Sequence, residues 1–241
     1  MTSFEVLDTA PDVARATADR FVAAAFDAIN ARGIFRVALS GGSTPTQVYP
    51  LLLEPQRRDA IDWASVDFFW GDERAVPPDH PESNFGVAYG MLISQLPDVR
   101  PDRIHRMSAE AEDLDASALS YESELRLAFG ARGDAPPSFD MIWLGMGPDG
   151  HTASLFPGSP ALDETERWVV AAWAPAQQAW RMTLTLPVLL AARETLFVVT
   201  GADKAEALRV VQNGDVDLPA ARVTGDNVHW MIDAAAASGV A

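Results

Sequence analysis

At 241 residues and 48% apolar side chains, the chain is long enough for one large domain or two small ones with a sizeable core. Its 34 acidic residues against 18 basic ones give a formal charge of -16, which argues against nonspecific contact with nucleic acid or an anionic membrane but leaves room for a local site that binds a small anion. The absence of cysteine excludes disulfides, thiolate zinc sites and cysteine nucleophiles, and no apolar run approaches the length that spans a bilayer. Four histidines, at positions 80, 105, 151 and 229, are too scattered to suggest a metal cluster, so no metal and no cofactor is expected.

The start, Met1 to Asp8, has no basic stretch followed by an apolar one, so no secretory signal is expected and a cytoplasmic protein is the default. A helical pattern over Val13 to Ala31 leads to a short apolar strand, Phe35 to Leu39, and then to Ser40-Gly-Gly-Ser-Thr-Pro-Thr-Gln47. That loop reads as a helix start with Thr44 at the N-cap, Pro45 in the first turn and Gln47 completing a capping box. Free amides at the positive end of a helix, approached over Gly41 and Gly42, make a site for phosphate or for a developing oxyanion. An ordinary strand-to-helix turn, in which the glycines only relieve crowding, explains this loop equally well; it is neither a Walker motif nor a full dinucleotide fingerprint.

A second strand, Val66 to Trp70, runs into Gly71-Asp-Glu-Arg-Ala75. Arg74 could hold a phosphate through two hydrogen bonds, with Asp72 and Glu73 orienting it or serving as acid or base; a surface ion pair is the blander alternative. Helical patterns over Phe85 to Leu96 and Leu114 to Phe129 follow, separated from their neighbours by loop-sized Pro- and Gly-rich stretches at 77–81 and 132–138. The strand Met141 to Leu144 then ends in Gly145-Met-Gly-Pro-Asp-Gly-His151, a turn that presents one histidine. His151 is the best catalytic candidate in the chain, and the alternative is a loop that merely turns.

Beyond it lie strands at Val169 to Trp173 and Leu196 to Thr200, with Arg181 between them as a weaker phosphate candidate. Gly201-Ala-Asp-Lys204 opens a helix that extends to Gln212. Lys204 is the only lysine beside seventeen arginines, and it sits where the helix dipole disfavours a cation. A bound anion would offset that placement. His80, His105 and His229 receive no role, and the seven tryptophans read as packing, since no basic residues interleave with them.

Strands alternating with helices indicate an α/β fold with a largely parallel sheet, Rossmann-like, with helices on both faces. No repeat, low-complexity tract or long linker divides it, and residues 1–241 are expected to form a single α/β domain. In such a sheet the carboxyl ends of the strands share one edge, so the loops at 40–45, 71–75, 145–151 and 201–204 should converge on one cleft. No Gly-x-Ser-x-Gly elbow of a serine hydrolase is present.

Five blocks carry a resemblance over nearly the whole length: Val37-Ala-Leu-Ser-Gly-Gly-Ser-Thr-Pro45; Phe69-Trp-Gly-Asp-Glu-Arg74 with Pro81-Glu-Ser-Asn-Phe85; Leu144 to Pro157; Arg181-Met-Thr-Leu-Thr-Leu-Pro187; and Thr200 to Lys204. With them the chain resembles the glucosamine-6-phosphate isomerase/6-phosphogluconolactonase family, on its lactonase side. The resemblance implies a sugar-phosphate isomerase/CoA transferase-like fold and hydrolysis of 6-phospho-D-glucono-1,5-lactone in the oxidative pentose phosphate pathway. It also implies His151 as acid and base, Asp149 as its orienting carboxylate, and phosphate held by Gly42, Ser43, Thr44, Arg74, Lys204 and Arg181. Backbone amides near Gly41 or Gly147 would stabilise the oxyanion. The implied partner is a small sugar-phosphate lactone, with no nucleic acid, no membrane, and a monomer or weak homo-oligomer. The related deaminases need a glutamate five positions after the histidine, where this chain has Phe156, and they tend to carry Tyr at the place of Arg74. A deaminase or isomerase, or a noncatalytic sugar-phosphate-binding protein, is the alternative reading.

Overall fold

The computed structural model describes residues 2–239. Its strands are β1 (Ser3–Leu7), β2 (Phe35–Leu39), β3 (Val66–Trp70), β4 (Asp72–Arg74), β5 (Met141–Leu144), β6 (Val169–Ala174), β7 (Ala179–Leu184), β8 (Thr195–Val199) and β9 (Val228–Asp233). The helices are α1 (Ala10–Arg32), α2 (Ser43–Leu52), α3 (Pro55–Arg58), α4 (Asn84–Met91), α5 (Leu114–Ala128), α6 (Leu186–Ala191), α7 (Ala205–Gln212) and α8 (Pro219–Arg222). Six strands form a wholly parallel sheet in the order β1-β9-β8-β5-β2-β3, and β4-β7-β6 form a separate antiparallel one.

The large sheet is covered on both faces, and its side chains alternate accordingly. Val37, Leu39, Trp143 and Val198 pack with α1 and α2 on one side. Ala38, Ile142, Leu144, Phe197 and Val199 pack with α5, α6, α7 and the small sheet on the other. Such a sheet requires nearly continuous apolar strands, and β2, β3, β5 and β8 are short and almost wholly buried. Their sequence patterns found them to within a residue for this reason.

Three features differ from the sequence expectations. The run at Val169 is a strand, but it belongs to the antiparallel sheet, where Trp173 and its cross-strand neighbour Trp180 face solvent. The strands β1, β4, β7 and β9 carry too many polar or exposed residues, or are too short, to stand out by periodicity. The helical pattern at Phe85 to Leu96 is α4 followed by a separate 3-10 turn, Ile93–Gln95, because Leu92 takes up a non-helical conformation between them.

Helix α1 is capped at each end by the residues one expects: the Thr9 side chain accepts from the Asp12 amide, and Gly33 takes the left-handed conformation. Its inward face carries Phe21, fully buried against Phe35, Trp63 and Trp143. No helix among the described residues is long and apolar enough to cross a membrane.

Chain direction across the sheet reverses between β2 and β5. From β2 the chain passes through α2 on one face to β3, whereas from β5 it proceeds over the other face to β8 and β9. A crevice forms at such a reversal, outside the carboxyl ends of the strands. Phe21→Ala tests the aromatic packing that holds α1 against this sheet: it should lower stability by about 3–5 kcal/mol, read from the urea midpoint. An unchanged midpoint would remove that cluster from the core.

Candidate active site

The loop after β2 passes over Gly42, whose φ of 104° suits glycine, and enters α2 at Ser43. The capping expectation is corrected here. Gly42, not Thr44, is the N-cap, and no side chain caps the helix. Thr44 lies inside the first turn with its hydroxyl 3.2 Å from that of Thr200, and Gln47 donates to the Ser43 carbonyl instead of reaching back to an amide. The first amides of α2 therefore face the crevice without a side-chain acceptor, the state an anion would complete. A buried Tyr49 hydroxyl donates to the Ser40 carbonyl at 3.0 Å and ties the loop to its helix.

Close approach explains Gly41. A Cβ there would fall 1.7 Å from Oδ1 of Asn84, a buried side chain whose amide donates to the Asp72 carbonyl at 2.8 Å and to its carboxylate at 3.2 Å. The other oxygen of Asp72 accepts from the buried Ser154 hydroxyl at 2.6 Å. Asp72 lines the cavity, but each of its carboxylate oxygens already accepts a hydrogen bond.

Glu73 is further from an acid-base role. Buried behind the strand, its carboxylate accepts from the amides of Arg74, Asn84 and Phe85 at 2.7–2.8 Å and from Ser83 Oγ at 3.0 Å. Burial pushes this carboxyl above the ordinary range, and those four donors pull it back only in part. It fixes the start of α4 and shapes the loop that carries Arg74.

Arg74 and Arg181 face each other across β4 and β7. Neither hydrogen-bonds a carboxylate: Arg74 donates to the Glu82 carbonyl, and Arg181 lies 3.7 Å from Asp72. The Nε of each is buried with no partner. Burial holds the Arg181 guanidinium below its usual value, with Asp72 opposing that shift and Arg74 adding to it. Two adjacent guanidinium groups short of acceptors are a latent anion site.

The turn after β5 is folded around His151. Its Nδ1 lies 2.5 Å from Asp149 Oδ1, and the His151 amide lies 3.2 Å from the same oxygen. Burial would push the Asp149 carboxyl up, but the nearby imidazole charge and the hydrogen bonds from the ring and amide of His151 outweigh it and hold it below the usual range. Asp149 thus stays ionised well into acid, and this pairing is lost only as pH falls through its depressed folded-state value. The buried ring of Phe156 packs against the imidazole, with centroids 4.6 Å apart, and the Arg181 guanidinium lies 5.7 Å from the same ring.

Gly147 has a different part from the one expected. Its amide donates to the His151 carbonyl at 2.9 Å, so that N–H is already engaged. A Cβ there would fall 2.2 Å from the imidazole, so the missing side chain makes room for the ring. Of the two expected oxyanion donors, only the Gly41 amide has no acceptor among the described residues.

Lys204 closes a 3-10 turn immediately before α7, its Nζ 2.9 Å from the exposed Asp203 carboxylate. All four loops meet around one cavity of about 240 Å³, whose wall includes Ser43, Arg74, Gly147, His151, Arg181 and Lys204. Sequence reasoning missed Asn84 and Ser154. Asn84 had a signal in Pro81-Glu-Ser-Asn-Phe85, but its contact with Gly41 and Asp72 exists only in three dimensions. Ser154 likewise lies in the block Leu144 to Pro157, but its hydrogen bond to Asp72, 82 positions away, is made only by the fold.

The family described as glucosamine-6-phosphate isomerases/6-phosphogluconolactonase matches residues 8–230. A 6-phosphogluconolactonase of Streptomyces coelicolor is 39% identical over 235 residues, covering 94% of this chain and 90% of that protein. One of Mycobacterium tuberculosis is 38% identical over 245 residues, covering 98% of each. The solved 6-phosphogluconolactonase of Trypanosoma brucei superposes with a TM-score of 0.86 at 28% identity, over 100% of this chain and 99% of the other. A monomeric glucosamine-6-phosphate deaminase shares the fold, with a TM-score of 0.82 at 23% identity. The fold alone therefore does not choose between hydrolysis and deamination.

Glu73→Gln leaves one acceptor oxygen where four donors converge and turns an NH2 towards the rest. It should cost on the order of 3 kcal/mol in urea unfolding. Wild-type stability in that variant would show that the carboxylate does not hold this loop.

Proposed function

The chain belongs to the glucosamine-6-phosphate isomerase/6-phosphogluconolactonase family, and from that premise we propose that it hydrolyses 6-phospho-D-glucono-1,5-lactone to 6-phosphogluconate in the oxidative pentose phosphate pathway. The observation that carries this reading is the imidazole of His151, oriented by a carboxylate, in the wall of the same cavity as Arg74, Arg181, Lys204 and the open end of α2. The reading takes residues 1–241 as one α/β lactonase domain, supported by two apolar clusters that share a single sheet. It acts in the cytoplasm as a monomer or weak homo-oligomer.

A carboxylate only accepts hydrogen bonds, so the proton between Asp149 and His151 resides on Nδ1, and Nε2 is left as a base. Nε2 takes a proton from water as the hydroxide oxygen bonds to the lactone carbonyl carbon. The resulting oxyanion is met by backbone amides, with Gly41 the remaining candidate. The bond from the carbonyl carbon to the ring oxygen then breaks, and Nε2 returns its proton to that oxygen. The new carboxylic acid ionises to 6-phosphogluconate and releases one proton. Asp149 holds the ring and stabilises its cationic form without taking the proton itself.

The phosphate is held by the amides of Gly42, Ser43 and Thr44, with Arg74, Arg181 and Lys204 around it. Binding this remote group positions the carbonyl against the water, which lets a positioned acid and base suffice for an ester that is already reactive. Deamination is disfavoured by Phe156, which fills the place of the required carboxylate with an aromatic ring against His151. A noncatalytic binding protein would have no use for an oriented base.

Proton release after adding fresh δ-lactone, compared with its spontaneous opening, tests the reaction, whereas ammonia released from glucosamine 6-phosphate would favour the deaminase. His151→Ala should lower kcat roughly 100- to 10,000-fold and leave phosphogluconate binding nearly intact. Undiminished turnover would reject His151 as the base. Lys204→Ala should raise KM by about tenfold or more with a smaller effect on kcat, and an unaltered KM would remove it from the phosphate site.

A further inference from the structure

The arginines divide by how they are neutralised. Twelve of the seventeen donate a hydrogen bond to an Asp or Glu side chain. Two of the other five are Arg74 and Arg181 in the candidate active site. The remaining three, Arg36, Arg132 and Arg193, line one second cavity of about 320 Å³. In a chain of charge -16, guanidinium groups without a carboxylate hydrogen bond are thus confined to two places, and one of them is the anion pocket already described.

The second cavity lies at the opposite edge of the sheet. Arg36 is near the start of β2, and Arg193 just precedes β8. A strand's length of roughly 15 Å separates this edge from the catalytic one. Arg132 has no carboxylate within 4.0 Å among the described residues, while Arg36 and Arg193 lie 3.5 Å from Asp67 and Asp140. Those two aspartates are also shared with Arg103 and Arg32, each of which hydrogen-bonds its aspartate. Five arginines around two aspartates leave the group positively charged, even after the exposed Asp134 on the nearby loop is counted.

The walls are preformed. Arg36 stacks over Phe129 at 4.8 Å and donates to the Ala128 carbonyl at 3.0 Å. The loop carrying Arg132, Pro136 and Pro137 is pinned by Arg126, which donates to the Gly133 carbonyl at 2.6 Å, and by the Trp168 indole, 3.3 Å from the Asp134 carbonyl. Arginine forks match the tetrahedral oxygens of phosphate, and the small apolar wall beside them suits a compact organic body. We propose that this cavity is a second anion-binding site, separate from the catalytic cleft, for a small phosphate-bearing molecule.

Inorganic pyrophosphate is a suitable probe, titrated calorimetrically into the full chain. Two equivalents should bind to the wild type and one to Arg74→Ala/Lys204→Ala. Adding Arg132→Ala and Arg193→Ala to that variant should weaken the remaining equivalent at least tenfold, as expected for lost charge-assisted hydrogen bonds. Arg132→Ala and Arg193→Ala in the wild-type background should leave kcat and KM for the lactone unchanged. Arg132 has no side-chain partner to lose, so Arg132→Ala alone serves if the double variant unfolds. One wild-type equivalent that is lost in Arg74→Ala/Lys204→Ala, or a remaining equivalent that ignores Arg132 and Arg193, would overturn the proposal. An altered KM for the lactone would also overturn it, because the site would then be part of the cleft.

Discussion

Parallel pairing of β2, β5 and β8 is the constraint on which the site depends. Hydrogen bonding places Ala38, Ile142 and Thr195 on one row across the three central strands, with Phe69 of β3 extending it. Because the strands run the same way, all must end on the same side of that row. Segments that begin near positions 40, 71, 145 and 200 are thereby delivered to one rim although more than 150 residues separate the first from the last. A slip of one residue in any pairing would turn its strand's side chains to the opposite face, so burial on both faces fixes the alignment.

Charge in this molecule is arranged by what is left unsatisfied. An acidic protein readily supplies carboxylates to its arginines, and most of them take one. Keeping cations available in the cleft therefore requires the nearby carboxylates to be occupied elsewhere. Asp72 is held by Asn84 and Ser154, and Glu73 by three amides and a hydroxyl. The acidic neighbours of Arg74 thus serve the loop's shape and leave its guanidinium to the cavity. The uncapped start of α2 follows the same logic, with amides left open where a side-chain cap would have closed them.

The histidine turn shows how glycine serves geometry rather than chemistry. Gly147 gives space to the imidazole and its amide closes the turn onto the His151 carbonyl, while Gly150 adopts a left-handed φ of 77°. Asp149 meets the ring at Nδ1 and Phe156 packs against it, so two contacts of different kinds restrict the same side chain. Gly41, at the other wall, is small because Asn84 lies against it.

Fold class, the central strands, the four loops and the residues proposed for catalysis were legible in the sequence, since each leaves a local signature: an apolar run between turn residues, glycines next to a histidine, a lone lysine. Strands β1, β4, β7 and β9 were not legible, because polar or exposed positions, or mere shortness, leave them no continuous apolar run. Nor could Thr44, Gln47 and Gly147 be assigned correctly from spacing, which says what a side chain or amide can reach and not which partner it takes. The second arginine cavity lies beyond sequence altogether. Arg36, Arg132 and Arg193 look like any other arginines until the fold decides which of seventeen lack a carboxylate, and that is a property of neighbours in space rather than along the chain.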